Sequence, residues 1–251
     1  MALNDIDVKK IKKGLVYSII PARSGSKGIV DKNIKSLFGY PLMAYSIVIS
    51  LHCKNINRTI LSTDSLDYAN IGKTYGADIP FLRPKEISGD LSTDYEFMEH
   101  AIKWLDQNEN ILPEFIVHLR PTCPFRKVAI VENAVDYIKE NDYASSLLSV
   151  FEPMDILTPY KWLKIEDGLL KSIIFDHVDD ANLPRQLYPH AYIRTVYVDI
   201  ISVKSIITTG SLYGDQVLPF FTERGLDIDT LDTFNTAKKD FDFSLFDNIN
   251  S

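Results

Sequence analysis

Apolar residues in this chain fall into short dense runs separated by polar segments of helical period. Leu15 to Ile20 is the first such run, and its short, mainly apolar character suits a strand buried on both faces. Arg58 to Ser62, Ile79 to Leu82 and Phe115 to Leu119 repeat the pattern and predict further strands. Between them the period changes. Pro41 opens the apolar-rich segment Leu42 to Leu51, at a position where proline suits the first helical turn. Asp67 to Tyr75 predicts a short helix stopped by Gly76. Ser92 or Thr93 can cap a helix that carries Phe97, Met98, Ala101, Ile102 and Leu105 at helical spacing. Lys127 to Glu140 predicts another. Alternating strands and helices at this pitch argue for an α/β fold with a doubly wound, mostly parallel sheet. Ligands of such sheets sit at the carboxyl ends of the strands, where the loop Ala22 to Asn33 and the segments after Ser62 and Leu119 would gather.

From Val150 the texture changes. Pro153, Pro159, Pro184 and Pro189, with aromatics between them, break the rhythm. Residues 14–150 and 193–243 are therefore expected to form the main domain, and 151–192 an insertion of hairpin and irregular structure. Ala191 to Val203 returns as a strand, and Leu226 to Asp229 precedes a final helix from Thr230 to about Lys239. Met1 to Lys13 reads as a loose lead-in, and the residues after Phe243 as a frayed tail.

Composition narrows the partners. The chain has 251 residues, 45% hydrophobic and 24% charged, enough for one sizeable core with a small appendage. A net charge of −7 and a pI near 5.3 make nucleic acid and anionic membrane poor partners, since both reward a basic face. Cys53 and Cys123 stand in no metal-ligand or redox spacing, as expected of reduced thiols in a cytoplasmic protein. The opening MALNDIDVKKIKKG lacks the apolar centre of a secretory signal, and no apolar run reaches membrane-spanning length.

Against this acidic background one loop is basic. Pro21-Ala22-Arg23-Ser24-Gly25-Ser26-Lys27-Gly28 follows the first strand, and Lys32-Asn33 come soon after. Glycines and serines let such a loop offer backbone N–H groups outward, and three cations within ten residues can meet a polyphosphate. It is neither a Walker A loop nor the three-glycine dinucleotide fingerprint.

PARSGSKGIVDKN resembles the signature of the CMP-sialic acid synthetases (acylneuraminate cytidylyltransferases). Further matches follow in the family's order: Ser62-Thr63-Asp64, then Phe81-Leu82-Arg83-Pro84 with Glu86, and His100-Ala101. After them come Arg120-Pro121-Thr122-Cys123-Pro124-Phe125-Arg126, Arg185-Gln186 with Tyr188, and Asp227-Ile228-Asp229-Thr230. The resemblance implies a nucleotidyltransferase, Rossmann-like fold. It implies that CTP is held by Ala22, Arg23, Ser26, Lys27, Lys32, Asn33 and Arg83. Thr122, Arg185 and Tyr188 would line a sugar-acid pocket, and Asp227 and Asp229 would hold magnesium. Arg23, Lys27 and Asp229 would be catalytic. The insertion would reach a second subunit in a homodimer, and the CMP sugar would serve surface polysaccharide biosynthesis.

Elementary chemistry agrees on some of these roles. Two aspartates one residue apart on an extended segment point the same way and can share a hard cation. A lone Asp-x-Asp is more often a surface turn, but a phosphate loop favours the metal reading, since a triphosphate brings magnesium with it. Arg185 could pair bidentately with a carboxylate or be an exposed arginine. The histidines read as packing residues, and Trp104 as core. Three positions depart from the family pattern. Arg120 replaces Gln, Cys123 replaces Ser, and Arg194-Thr195 replace Asn-Gly. Arg120 and Arg194 are expected to add cations beside the acceptor sugar, which leaves the acceptor open among sialic, legionaminic, pseudaminic and other acidic sugars. Two rival readings are a nucleotidyltransferase for a sugar 1-phosphate and a non-catalytic nucleotide-binding homologue.

Overall fold

The structure, a computed structural model, describes residues 2–153 and 158–249. Residues 154–157 of the expected insertion, and 1, 250 and 251 of the expected lead-in and tail, lie outside the described residues.

In chain order the elements begin with β1 (Ile11–Pro21), a small ladder of β2 (Ser36–Leu37) with β3 (Tyr40–Pro41), and α1 (Leu42–His52). β4 (Arg58–Ser62), α2 (Leu66–Thr74), α3 (Asp94–Asn108), β5 (Leu112–His118), α4 (Val128–Lys139) and β6 (Ser146–Phe151) follow. Next come β7 (Leu163–Glu166), β8 (Leu169–Ser172), β9 (Ile193–Ser202), α5 (Val203–Thr209), β10 (Val217–Phe221) and α6 (Leu231–Asn235). Six strands form one sheet in the order β10-β6-β9-β5-β1-β4. β1 runs parallel to β4 and β5, and β9 is antiparallel to β5.

The sheet's two covered faces explain the dense apolar runs. Val16 and Ile20 of β1 and Val117 of β5 pack into one cluster, with residues of α1 and α4. Tyr17 and Ile19 of β1 and Ile116 of β5 pack into another, with α3 and α5. Because the side chains alternate and both faces are buried, both sets of alternate positions are mostly apolar. Thr93 caps α3 in a reciprocal box with Glu96, the Thr93 N–H donating to Glu96 Oε2 at 2.6 Å.

Several sequence expectations are corrected. Ile79 to Leu82 is not a strand: a single bridge pairs Ile60 with Asp78, and Pro80 and Pro84 lack the donors needed to continue a ladder. The lead-in is not loose, because Leu3 and Ile6 are buried in the core and β1 begins at Ile11. The last helix, α6, stops at Asn235. The tail beyond Phe243 is packed: Phe246 is buried and stacks on Tyr40 with ring centroids 3.7 Å apart, and Phe241 lies edge-on to Tyr45. Aromatic burial there outweighs local helix propensity. Three elements were not expected. In β6 the buried serines Ser146 and Ser149 disguise a core strand, α5 is a helix of only seven residues capped by Ser202, and β10 carries Pro219 at the sheet's edge, where proline is tolerated.

By contact the chain divides into two compact units, Met1–Ser149 with Thr195–Ser251, and Val150–Arg194. Within the smaller, β7 and β8 form a hairpin that turns at Asp167 and Gly168, with φ of 54° and 74°. Two left-handed residues in succession suit a tight hairpin turn, which is why Asp-Gly stands there. Tyr188 of this unit stacks on Tyr160 with 5.4 Å between centroids.

Candidate functional site

Parallel strands deliver three loops to one edge of the sheet. The chain leaves β1 at Pro21, β4 at Ser62 and β5 at His118, and these strands are neighbours. Ala22 is fully buried, its N–H donating to the Ser62 carbonyl at 2.9 Å, so the basic loop starts from a fixed point. Asp64 holds the loop two residues on, accepting from both the N–H and the hydroxyl of Ser24 at 2.7 Å. Asn33 closes the loop by donating to the Arg23 carbonyl at 2.9 Å.

A cavity of about 200 Å³ opens here, and Arg23, Ser26, Lys32, Asn33, Arg83, Arg120 and Thr122 all line it. It is smaller than the roughly 300–1,000 Å³ typical of small-molecule pockets. A nucleoside triphosphate would therefore extend beyond it over the exposed loop, where Lys27 stands with its side chain 84% accessible. Arg83 is buried, donating to Ser62 Oγ and to the Ser62 carbonyl at 3.1 and 2.7 Å, and its guanidinium lies over the Phe97 ring. Burial pushes it down to about 10, still cationic at neutral pH. Arg23 and Lys27 both reach Asp90, at 2.9 and 2.5 Å.

The segment carrying the two aspartates lies against this loop. Lys32 Nζ sits 2.9 Å from Asp229 Oδ1, and a Cβ added to Gly28 would meet the Asp229 carbonyl at 3.3 Å. A side chain there would push the aspartate segment back by a few tenths of an ångström, so glycine suits the close approach. Ile228, fully buried, alternates with the exposed Asp227 and Asp229, which turns both carboxylates away from the core. Its N–H donates to the Thr122 carbonyl at 2.8 Å. Loss of hydration raises the Asp227 carboxyl above its ordinary value. A hydrogen bond from Thr122 opposes this, and the charge of Asp229 adds to it.

Arg120 is not a spare cation. It donates to Asp199 and Asp94, both at 2.6 Å, and Asp199 is fully buried. Burial works against its charge, but Asp199 and then Asp94 outweigh burial and raise the guanidinium above its ordinary value. The expected extra positive charge at this position is thus balanced within the protein. Arg126, fully buried, holds the same loop to its surroundings. It donates to the carbonyls of Tyr197 and Cys123, to Ser46 Oγ at 3.0 Å, and to the carbonyls of Arg120 and Val196 at 2.9 and 3.0 Å. Cys123 is buried, which raises its thiol.

Arg185, Tyr188 and Arg194 belong to the smaller unit. Arg185 and Tyr188 line a cavity of about 550 Å³ there, with Glu152, Thr158, Gln186 and His190. The Tyr188 hydroxyl is engaged locally, donating to the Asp180 carbonyl at 2.7 Å and accepting from the Leu183 N–H at 2.9 Å. Arg194 is exposed on β9 and is not among the residues lining that cavity. Its neighbour Thr195 is buried and donates to Ser149 Oγ at 2.7 Å. The sequence reading missed Asp90, Asp94, Asp199 and Arg126 as parts of the site. Asp199 had a usable signal, a lone carboxylate inside the apolar strand Val196 to Ile201. Asp90 had none.

The sequence profile of the family described as Cytidylyltransferase matches residues 17–173. Over 225 residues the chain is 30% identical to a CMP-N,N'-diacetyllegionaminic acid synthase of Legionella pneumophila, covering 86% of this chain and 91% of that one. It is 35% identical over 147 residues to an N-acylneuraminate cytidylyltransferase of Escherichia coli, 57% of this chain but only 34% of that relative's length. A pseudaminic acid cytidylyltransferase of Campylobacter jejuni is 35% identical over 123 residues, 49% of this chain and 53% of that one. Among solved structures, a CMP:2-keto-3-deoxy-manno-octonic acid synthetase complexed with CTP matches with a TM-score of 0.64. It is 11% identical and covers 88% of this chain and 95% of that one, a likeness of fold.

Proposed function

The chain belongs to the cytidylyltransferase family, and from that premise we propose that it transfers CMP from CTP to a 2-keto sugar acid of the nonulosonic class, releasing pyrophosphate. The observation that carries this reading is the convergence of Arg23, Lys32, Asn33, Arg83 and Thr122 on one cavity, with Asp229 tied to Lys32 at its rim. The anomeric hydroxyl of the acceptor attacks the α-phosphate in line, and pyrophosphate leaves. Such a displacement asks the protein chiefly for positioning and charge stabilisation. Arg23 and Lys27 neutralise the phosphate chain, and the buried Arg83 supplies a fixed cation beside the base of the loop.

Asp227 and Asp229 would hold Mg2+, and hard carboxylate oxygens suit that ion. The fit rests on placement: the buried Ile228 turns both carboxylates outward on the segment that Lys32 ties to the basic loop through Asp229. Among the described residues no cluster of three or more His, Cys, Asp or Glu could hold a metal, so the ion's remaining ligands would come from the triphosphate and water, as is usual for magnesium. When bound it supplies Lewis-acid polarisation of the phosphate.

Because Arg120 is neutralised by its own aspartates, a second anionic group on the acceptor gains nothing from it. The named relatives act on neuraminic, legionaminic and pseudaminic acids, and these are the first acceptors to try. Pyrophosphate release with CTP and Mg2+ should appear with one or more of them, and not with sugar 1-phosphates or with ATP, GTP or UTP. Release with a sugar 1-phosphate would replace this reading with the rival transferase. Silence across all acceptors while CTP still binds would favour a binding homologue.

A homodimer is supported by the smaller unit. Ile165, Leu169 and Leu170 of the β7–β8 hairpin are 77%, 65% and 60% exposed, and a two-stranded hairpin alone is marginally stable in water. A second copy of the chain covering it would bury that surface. Sedimentation should give twice the 28.6 kDa chain mass, and a monomer across the micromolar range would refute the dimer. Both cysteines are free and buried, which fits a reducing, cytoplasmic compartment. No helix among the described residues is long and apolar enough to cross a membrane.

A further inference from the structure

We propose that Asp90 is an internal counter-anion that competes with the phosphate chain for the loop cations, and so sets the affinity of the site for phosphorylated ligands. The inference rests on the nucleotide reading above. Asp90 follows Gly89 in the connection between the short 3₁₀ turn Lys85–Ile87 and α3. Its two oxygens are used separately, Oδ1 by Arg23 at 2.9 Å and Oδ2 by Lys27 at 2.5 Å. One carboxylate thus engages both cations at once. Other carboxylates near the loop are engaged elsewhere: Asp64 with the backbone and hydroxyl of Ser24, Asp31 with the Tyr68 hydroxyl, and Asp229 with Lys32. Hydrogen bonding from Lys27, with Arg23 contributing less, holds the Asp90 carboxyl below its ordinary value, so the contact persists throughout the neutral range.

This pairing is built to exchange. The Lys27 side chain is 84% accessible and that of Asp90 33%, and exposed ion pairs contribute little to folding. The two cations belong to the family's phosphate loop, whereas Asp90 comes from a different segment and carries a single charge. A triphosphate brings several charges and many acceptor oxygens, enough to displace one carboxylate. The cost of that displacement appears as reduced apparent affinity, because only the fraction of molecules with Asp90 released is competent to bind. A ligand without phosphate does not compete for Arg23 and Lys27 and bears no such cost. Asp90 therefore weights selection between phosphorylated and unphosphorylated cytidine compounds, and it keeps two adjacent cations from repelling each other when no nucleotide is present.

The test is calorimetric titration of CTP into the wild-type chain and into Asp90→Asn, with cytidine measured by competition. Two exposed ion pairs, each worth up to roughly fivefold, predict about threefold to tenfold tighter CTP binding in Asp90→Asn, with cytidine unchanged. The gain should shrink at high salt, which screens exposed charges, and Asp90→Glu should restore wild-type affinity. Equal CTP affinity in the two proteins would overturn the proposal. Weaker CTP binding in the variant would also overturn it, by placing Asp90 in the bound complex, as would equal tightening of CTP and cytidine. No CTP binding by either protein would overturn the nucleotide reading itself, a pattern distinct from the others.

Discussion

Asp229→Asn is expected to cut turnover at least about a hundredfold with CTP, acceptor and Mg2+ all saturating, the scale of losing one preorganised electrostatic contact in a transition state. The substitution keeps the shape of the side chain and removes its charge. Asp229 has a side chain 63% exposed and its described ion pair is with Lys32, so the fold should survive, and far-ultraviolet circular dichroism should be unchanged. The loss is expected in turnover, with a smaller effect on CTP affinity, because the phosphate contacts proposed for Arg23, Lys27 and Arg83 do not depend on this carboxylate. A second readout separates metal binding from any other role. Mg2+ with CTP should raise the unfolding temperature of the wild-type chain more than CTP alone, by mass action on the folded state, and in Asp229→Asn that additional rise should disappear. Turnover near wild type in the variant would remove Asp229 from the metal site and leave Asp227 without its partner there.

The site is legible in the sequence where chemistry and local order coincide, and hidden where it depends on tertiary pairing. Arg23, Lys32 and Asn33 lie on one basic loop after a buried strand, so both their proximity and their charge can be read from order alone. Asp229 lies far along the chain, and only the resemblance to a family connects it to Lys32. Arg120 shows the opposite failure. Read in sequence it is an added cation beside the acceptor, yet its charge is balanced by Asp94 at the start of α3 and Asp199 in β9, neither of which is near it in the chain. The fold follows the same division. β1, β4 and β5 stand out by their dense apolar centres because both faces of the sheet are covered. β6 escapes notice because Ser146 and Ser149 occupy core positions, and the tail because its order depends on aromatic partners in α1 and β3.

Arg126→Met should lower the stability of the chain by about 3–5 kcal/mol, the range for removing one partner from a buried charged network. A guanidinium has five N–H donors, and all five are used here: by the carbonyls of Tyr197, Cys123, Arg120 and Val196, and by Ser46 Oγ. Burial pushes Arg126 below its ordinary value, yet an arginine remains charged, and its charge is spread over these acceptors. Methionine fills a similar volume but leaves four carbonyls and a hydroxyl without their donor in a region closed to water. Lysine offers three donors in place of five, so Arg126→Lys should fall between methionine and the wild type. Urea unfolding would measure both as shifts in midpoint at constant slope. The consequence for the site follows from the same bonds. Arg126 ties the loop bearing Thr122 to α1 and β9, and Thr122 in turn receives the Ile228 N–H between the two aspartates. Below its unfolding transition, Arg126→Lys should therefore lose turnover beyond its loss of folded protein, because the aspartate segment is no longer held in register with the phosphate loop. A methionine variant within about 1 kcal/mol of the wild type would show that α1, β9 and the loop hold together without this residue, since a solvated surface change is worth no more than that.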